Sequence, residues 1–252
     1  MKRILLNALY PVLAVAVLLV IWAIAAAATG ESLILPSPVE TAEAFGRLLG
    51  AAAFWRGLLN TFVRALIAYA VCLLVSLLLA AAARLHPVRR IVAPIMTVVR
   101  SVPTMAVIFL LLLWTGARAA PVYVAVTVML PTMYAGFTTA LDGVDRGLIE
   151  MSAVYRVPMS RRLLKLYLPS LAPPLVSSAT FLSLGVKLVV AAEALAMTAG
   201  SLGMLLMQAN TAIATARLMA IAIAAVLVGF LVEGLAKLIE IPLKKRGFTF
   251  GG

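Results

Sequence analysis

Acidic residues are scarce in this sequence, and so is charge of any sign. Only 9 of the 252 residues are Asp or Glu, charged residues make up 12%, and 64% are hydrophobic, so the mean hydropathy is +1.13. Soluble domains carry about twice that charged fraction. The excess of 21 Lys and Arg gives a net charge of +12, which fits either nucleic-acid binding or basic loops kept on one side of a membrane. The apolar content favours the membrane.

The residues that most enzymes need are also missing. The chain has one histidine and one cysteine, so it forms no internal disulfide, and its carboxylates are not spaced as metal ligands. It contains no G-x-x-x-x-G-K-[ST] loop to hold a nucleotide phosphate. Cys72 lies in an apolar run and is predicted to be a small buried side chain. Catalysis, a resident metal and a resident cofactor are therefore not expected.

Apolar runs long enough to cross a bilayer dominate the chain. A span needs about 20 residues, and six candidates are present: 4–28, 58–83, 91–115, 120–140, 170–197 and 215–240. The first follows a basic "MKR" start, as a signal peptide would, but it is longer than the apolar stretch of a signal peptide. We interpret it as a retained span, in an all-α membrane protein with a single domain over residues 1–252.

The basic residues predict the orientation of these spans. Thirteen lie in segments that share one side if the spans alternate, and four lie on the other side. Lys and Arg concentrate on the cytoplasmic side of membrane proteins. Both termini and the 141–169 segment are therefore predicted to be cytoplasmic.

Two further patterns leave alternatives open. Ser37, Pro38 and Glu40 form a helix-start signal, and the apolar residues that follow predict an amphipathic helix, either at the outer membrane interface or as an ordinary surface helix. Prolines interrupt three apolar runs, in "RSVPT", "MLPTM" and "LPSLAPP". Such kinks either line a pathway, where freed carbonyls meet polar partners, or serve packing alone.

One polar segment, "LIEMSAVYRVPMSRRLLKLYLPSLAPPL", separates two apolar runs. Leu148, Met151 and Tyr155 repeat at helical spacing, and Val157-Pro158 should end that helix. A second helix can begin at Ser160 and rise into the fifth span. The first helix thus carries an apolar face that we expect to dock in a groove on a partner.

This segment resembles the EAA loop of permease subunits of bacterial ABC importers. The family pattern is Glu-Ala-Ala, three residues, Gly, and later Leu-Pro. Here it reads Glu150-Met151-Ser152, with Arg156 at the glycine position and Leu168-Pro169 at the end. The chain departs from the pattern at the two alanines and at the glycine.

The resemblance extends over most of the chain. "LPSP", "LLNTFVRALIAYAV", "VRSVPTMAVIFLLLLWTG" and "LGVKLVVAAEALA" followed by "GSLGML" are similar to the branch that imports nitrate, sulfonate, taurine, bicarbonate and thiamine-precursor-type solutes. The resemblance implies the type I importer permease fold in a bacterial plasma membrane, with two permease copies, two ATPase subunits that bind ATP and Mg, and an extracytoplasmic solute-binding protein.

By this resemblance, a set of residues in the loop would couple the chain to the ATPase. The set is Glu150, Met151, Ser152, Tyr155, Arg156, Val157, Pro158 and Arg161. Glu150 would bond either to the loop backbone or to an ATPase arginine. Arg156, Arg161 and Arg162 would meet acidic ATPase residues or, equally well, anionic lipid head groups.

Ionisable side chains within spans are candidates for the pathway or a gate, because they are costly in lipid. Lys187 and Glu193 lie six residues apart in the fifth span and should point to different sides of the helix. Either can serve transport or structure, as can Arg100 beside Pro103. Glu233 and Lys237, four residues apart, are predicted to form a local pair.

These patterns together predict the membrane subunit of an ATP-driven importer of a small solute. The main alternative is a stand-alone secondary transporter or channel, which would need inverted repeats or a chain of buried acids that the sequence does not show. A membrane enzyme or assembly factor finds no supporting residue cluster.

Overall fold

A computed structural model describes the backbone of residues 2–245 and the side chains of Tyr10 and residues 13–235. The described chain is helical, and the elements in order are α1 Lys2–Thr29, α2 Pro38–Leu49, α3 Ala52–Ala82, α4 His86–Ser101, α5 Thr104–Asp142, α6 Arg146–Val154, α7 Met159–Arg162, a π-helical turn Leu163–Tyr167, α8 Leu168–Ser177, α9 Thr180–Ala196, α10 Leu202–Thr211 and α11 Thr215–Lys245.

Three of these helices are long and apolar enough to cross a membrane: α3, α5 and α11. A fourth span is obtained if the helices on either side of a 44° bend, Met159–Ser177 and Thr180–Ala196, count as one. In α1, the residues whose side chains are described include the apolar stretch Leu13–Thr29. A multi-pass membrane protein is confirmed, while six spans remain a prediction.

The predicted third span, 91–115, is divided in the structure. Helix α4 ends at Ser101, and Val102 and Pro103 are extended before α5 begins. Within α5 the backbone of Gly116 is non-helical, with φ 75° and ψ 169°. A positive φ is open to glycine at little steric cost, so Gly116 allows the break that separates 104–115 from the helix containing the predicted fourth span.

Small residues on α3 form the centre of the fold. Ala65, Ala68 and Cys72 are fully buried where α3 packs against α5 and α9, together with Met129 of α5 and Val189 of α9. In membranes, small side chains let helix backbones approach closely. The prediction that Cys72 is buried is confirmed, and its Sγ lies 3.6 Å from the Val126 carbonyl oxygen.

The ends of α3 define two ends of the molecule. At its C-terminus, Arg84 and Arg89 lie 3.5 and 2.8 Å from the Asp142 carboxylate. The segments around them also carry Arg90, Arg146, Arg156, Arg161 and Arg162, so we call this the basic end. Hydrogen bonding to Asp142 raises the pKa of Arg89. The opposite end holds the α9–α10 turn and the connection from α1, where Thr215 donates hydrogen bonds to the Ser32 and Leu33 carbonyls.

Helix α2 starts as the sequence predicts. The Ser37 hydroxyl accepts from the Glu40 amide at 3.2 Å and the Glu40 carboxylate accepts from the Ser37 amide at 2.8 Å, which is a capping box. Its buried residues pack mainly on α11. By contrast α1 has few contacts beyond α2, and Trp22 ties it to the Pro36 carbonyl by a 3.0 Å hydrogen bond.

Candidate functional site

The polar segment at the basic end forms the short helix, turn and second helix that the pattern predicts. Asp145 caps α6, because its side chain accepts a hydrogen bond from the Gly147 amide at 2.7 Å. Asp142, three residues earlier, pairs instead with Arg84 and Arg89. Pro158 precedes α7, so the chain breaks where expected.

An apolar stripe on α6 is left uncovered. Tyr155 and Val154 are 76% and 78% exposed, and Met151 and Leu148 are also exposed. No other part of the described chain packs over them. Glu150 lies beside this stripe, is exposed, and makes no hydrogen bond or ion pair within the described residues. These side chains are therefore free to meet a partner.

The turn after α6 has a defined geometry despite its arginine. Arg156 adopts φ 49°, in the left-handed region that glycine usually occupies after a helix. The Arg156 amide bonds to the Ala153 carbonyl at 3.0 Å, and the Val157 amide to the Ser152 carbonyl at 2.9 Å. This pair of bonds is a Schellman motif. Arg156 thus adopts a conformation that favours glycine, at a steric cost of about 1–2 kcal/mol.

Arg162 braces the same turn from the next helix. Its Nη2 donates to the Ser152 carbonyl at 2.8 Å and its Nε donates to the Val157 carbonyl at 2.9 Å. We expected Arg162 to face acidic partner residues or lipid, and the structure corrects this, because the guanidinium is used inside the chain. Arg161 is exposed and its side chain makes no such bond.

The braced turn leads directly into the bundle. The π-helical turn Leu163–Tyr167 continues into α8, which packs against α5. Tyr167 also joins the loop to the end of α3, because the Arg84 guanidinium lies over its ring at 5.2 Å from the centroid. Single π-helical turns recur at functional sites. Helix therefore runs without interruption from Met159 to Ser177, between the braced turn and the 44° bend that precedes α9.

A second polar cluster lies at the opposite end. Glu193 is fully buried; its Oε1 accepts from Arg64 Nη1 at 2.7 Å and its Oε2 accepts from Thr61 Oγ1 at 2.7 Å. The Gly203 amide also donates to Glu193 at 3.3 Å, and Thr61 Oγ1 accepts from the Leu202 amide at 3.0 Å. Glu193 therefore holds the first turn of α10 against α3.

Glycines let α10 approach α9 and α3. A Cβ added to Gly203 would lie 2.5 Å from the Ala194 amide nitrogen, the Glu193 Cβ and the Val190 carbonyl oxygen. Gly200, at φ 66°, accepts a 2.8 Å hydrogen bond from Asn60 through its carbonyl. Ser201 caps α10 by accepting from the Met204 amide at 3.0 Å. The "GSLG" stretch is thus a tight turn built onto α3.

The other candidate residues are not part of this cluster. Lys187 is exposed on α9 and does not pair with Glu193, as the spacing predicts. Arg100 is exposed in the last turn of α4, just before the extended Pro103. For the predicted Glu233–Lys237 pair, the Lys237 side chain lies outside the described residues.

Sequence reasoning missed two partners, Arg64 and Arg162. Arg64 is 129 residues from Glu193, and no local pattern joins them. Arg162 does carry a local signal, since a basic residue ten positions after a helix C-terminal carbonyl can fold back onto it. Arg162 donates to backbone carbonyls of a turn, whereas Arg64 donates to the Glu193 carboxylate.

The comparisons with known proteins agree with this architecture. A family model described as "Binding-protein-dependent transport system inner membrane component" matches residues 73–244. No curated protein sequence matches the chain. An amino acid ABC transporter structure superposes with a TM-score of 0.62 at 16% identity, covering 75% of this chain and 94% of that chain.

A second structure, the MetNI methionine ABC transporter in an inward-facing conformation, superposes with a TM-score of 0.56 at 23% identity. The match covers 73% of this chain and 91% of that chain. At these identities the likeness shows the shared fold, whereas the match of the family model covers more than half of the chain.

Proposed function

The chain belongs to the family of binding-protein-dependent transport system inner membrane components, and from this premise we propose that α6 is the element through which an ATPase drives it. Proteins of this family are permease components of ABC importers, and ATP hydrolysis occurs in a separate subunit. The observation that carries the proposal is the uncovered apolar stripe of α6 on a capped and braced helix.

The geometry suits a rigid connection. Asp145 fixes the start of α6, and the Schellman turn with Arg162 fixes its end. The stripe of Leu148, Met151 and Tyr155 would enter a hydrophobic groove, as helix recognition commonly does. Because α6 has few internal degrees of freedom left, closure of the ATPase on ATP would move it as a body, and the spans would rock between inward- and outward-open states.

The polar residues around the apolar stripe would fix the position of α6 in the ATPase groove. Glu150 and Arg161 are exposed and unpaired within the described chain, so they can form charge pairs with the ATPase at the edges of the groove. Ser152 is buried against its own helix and Val157 and Pro158 form the turn, so their role would be to shape the contact rather than to make it. Arg156 remains free to meet an acidic ATPase residue or a lipid head group.

The assembly we propose contains two copies of this chain, two ATPase subunits that bind ATP and Mg, and an external solute-binding protein. The basic end would face the cytoplasm, both termini would lie on that side, and six spans would cross a bacterial plasma membrane. The solute would be small: an organic or inorganic anion such as a sulfonate, or a vitamin-precursor-type compound. These details follow from the charge bias and the sequence resemblance.

Purification of the complex tests the proposal. The chain extracted in mild detergent should bring an ATPase with it, and Glu150→Arg should lose the ATPase or uncouple ATP hydrolysis from uptake. Tyr155→Ser should weaken co-purification, whereas Tyr123→Ser, which changes an exposed tyrosine on α5 outside the loop, should not. Transport by the purified chain alone would instead support a stand-alone transporter or channel.

A further inference from the structure

Lys187 is a charged, exposed residue within a membrane-spanning segment. It lies within the apolar helix α9, its side chain is exposed, and it makes no hydrogen bond or ion pair within the part of the chain that the structure describes. A lone ammonium group in hydrocarbon is costly, and such residues face a protein interior or a water-filled cavity. The exposed position of Lys187 therefore needs a polar environment that this single chain does not enclose.

Its depth makes escape to the membrane surface difficult. Lys187 is seven residues from the start of α9 and nine from its end, so roughly 10 Å and 13 Å of helix separate it from Thr180 and Ala196. Near the end of α9, Glu193 is already enclosed by Arg64 and Thr61. The hydrocarbon core is about 30 Å thick, which places Lys187 well inside it.

The neighbours of Lys187 on the helix surface are also unlike a lipid-facing surface. Residues exposed on the same side of α8 and α9 recur at three- and four-residue steps: Ser177, Thr180, Leu184, Lys187 and Ala191. We call this set the α9 face. The exposed side of α11, by comparison, carries large apolar residues: Val226, Leu227, Phe230 and Leu231. Polar and small residues at lipid depth indicate contact with water or protein.

The structure also leaves room for the lysine stem. A Cβ added to Gly229 of α11 would lie 3.5 Å from Lys187 Cε and 3.0 Å from Ser183 Oγ. The glycine thus lets the apolar part of the Lys187 side chain lie against α11. The Lys187 Cε thus lies beside Gly229, in the space that a larger side chain on α11 would narrow.

We propose that the α9 face lines the solute pathway and that Lys187 forms a subsite for an oxyanion, such as a carboxylate, sulfonate or phosphate group of the solute. This inference rests on the proposed function, because it needs a second subunit to close the pathway. An ammonium group without a fixed carboxylate partner attracts an anion strongly in a partly desolvated site. The subsite would favour anionic solutes and disfavour cationic ones.

Thiol labelling tests this without knowledge of the solute, because Cys72 is the chain's only cysteine and is buried. In a Cys72→Ala background, Ala191→Cys places a thiol one turn from Lys187. Membrane vesicles that contain this variant are treated with two water-soluble thiol reagents, an anionic one (sulfonatoethyl methanethiosulfonate) and a cationic one (trimethylammonioethyl methanethiosulfonate). The rates at which the two reagents label the thiol are then compared. Adding Lys187→Gln should lower the anionic-to-cationic rate ratio about tenfold.

Two further cysteine positions serve as a second test site and as a negative control. Thr180→Cys lies on the same face and provides a second thiol if Ala191→Cys does not fold, whereas Leu231→Cys lies on the large apolar side of α11 and should stay unlabelled. No reaction at either α9 position, or a rate ratio that Lys187→Gln leaves unchanged, would overturn the subsite. Labelling needs no ATPase, so a failure of ATPase co-purification would count against coupling through α6 alone.

Discussion

At each end of the bundle, side chains form hydrogen bonds with the backbone groups of a turn, but one turn is exposed and the other is buried. At the basic end, the α6 turn exposes carbonyl groups, and Arg162 donates to two of them. At the other end, the start of α10 presents amide groups, and Glu193 and Thr61 accept from them. The first turn keeps its apolar side chains exposed, and the second is buried.

The α6 turn therefore belongs to a surface available to a partner, whereas the α10 turn belongs to the folded core. Around α6 the brace fixes the backbone but leaves Met151, Val154 and Tyr155 uncovered. Around α10 all the charged and hydroxyl groups of the cluster are used within the chain. Substitutions should therefore impair assembly at the basic end and folding at the opposite end.

The largest effect is expected for Glu193→Ala. Removing this carboxylate leaves Arg64 and the Gly203 amide without their buried partner, and breaking such a pair costs about 3–5 kcal/mol. Thermal unfolding in detergent should show a strongly lowered Tm or no folded protein. Glu150→Ala is the control, and its change should stay within about 0.5 kcal/mol. Equal effects of the two substitutions would remove the contrast between the ends.

A smaller loss is expected for Gly203→Ala. The added Cβ meets backbone atoms of α9 that cannot turn aside, and overpacking of this kind costs about 1–3 kcal/mol. Gly46→Ala in α2 is the matched change, because nothing lies within 4 Å of its added Cβ. Alanine favours helix, so Gly46→Ala should raise stability by about 0.5–1 kcal/mol. Opposite shifts in Tm check the pair.

Arg162→Gln should act locally at the basic end. Loss of both guanidinium hydrogen bonds frees the turn, while the buried core is unchanged. Hydrogen bonds to charged groups contribute about 1.5–3 kcal/mol, and the Arg162 guanidinium is only half-buried. We therefore expect the amides of Arg156 and Val157 to exchange roughly tenfold faster in Arg162→Gln than in the unsubstituted protein. Arg161→Gln should leave those amides unchanged. Unaltered exchange in Arg162→Gln would show that the brace adds nothing.

The smallest effect concerns Arg156 itself. Arg156→Gly relieves a left-handed backbone and should stabilise the turn by at most about 1–2 kcal/mol, partly offset by the freedom glycine adds to the unfolded chain. Arg156→Val should do the reverse, since β-branched residues resist this conformation. Amide exchange at Val157 measures both. If the Arg156→Gly variant binds the ATPase less well than the unsubstituted protein does, the Arg156 side chain contributes to the contact.

The sequence predicted what depends on local order along the chain. The Ser37 cap, the break before Pro158 and the burial of Cys72 all follow from neighbouring residues, and the structure confirms them. The resemblance to the EAA loop stays a prediction, and the turn at Arg156 is left-handed, with φ 49°.

What the sequence did not predict depends on contacts between distant segments. The sequence leaves Glu193 open between a transport role and a structural one, and it does not identify Arg64 and Thr61 as its partners, because helix packing brings these residues together. For the third predicted span, the proline in "RSVPT" predicts a kink, whereas the structure divides the span completely at the extended pair Val102–Pro103.

The sparse attachment of α1 has an evolutionary consequence. The described part of this helix meets the rest of the molecule mainly through α2 and one tryptophan hydrogen bond, and the family match starts at residue 73, well beyond it. A peripheral helix of this kind can be gained, lost or replaced without repacking α3, α5 and α9.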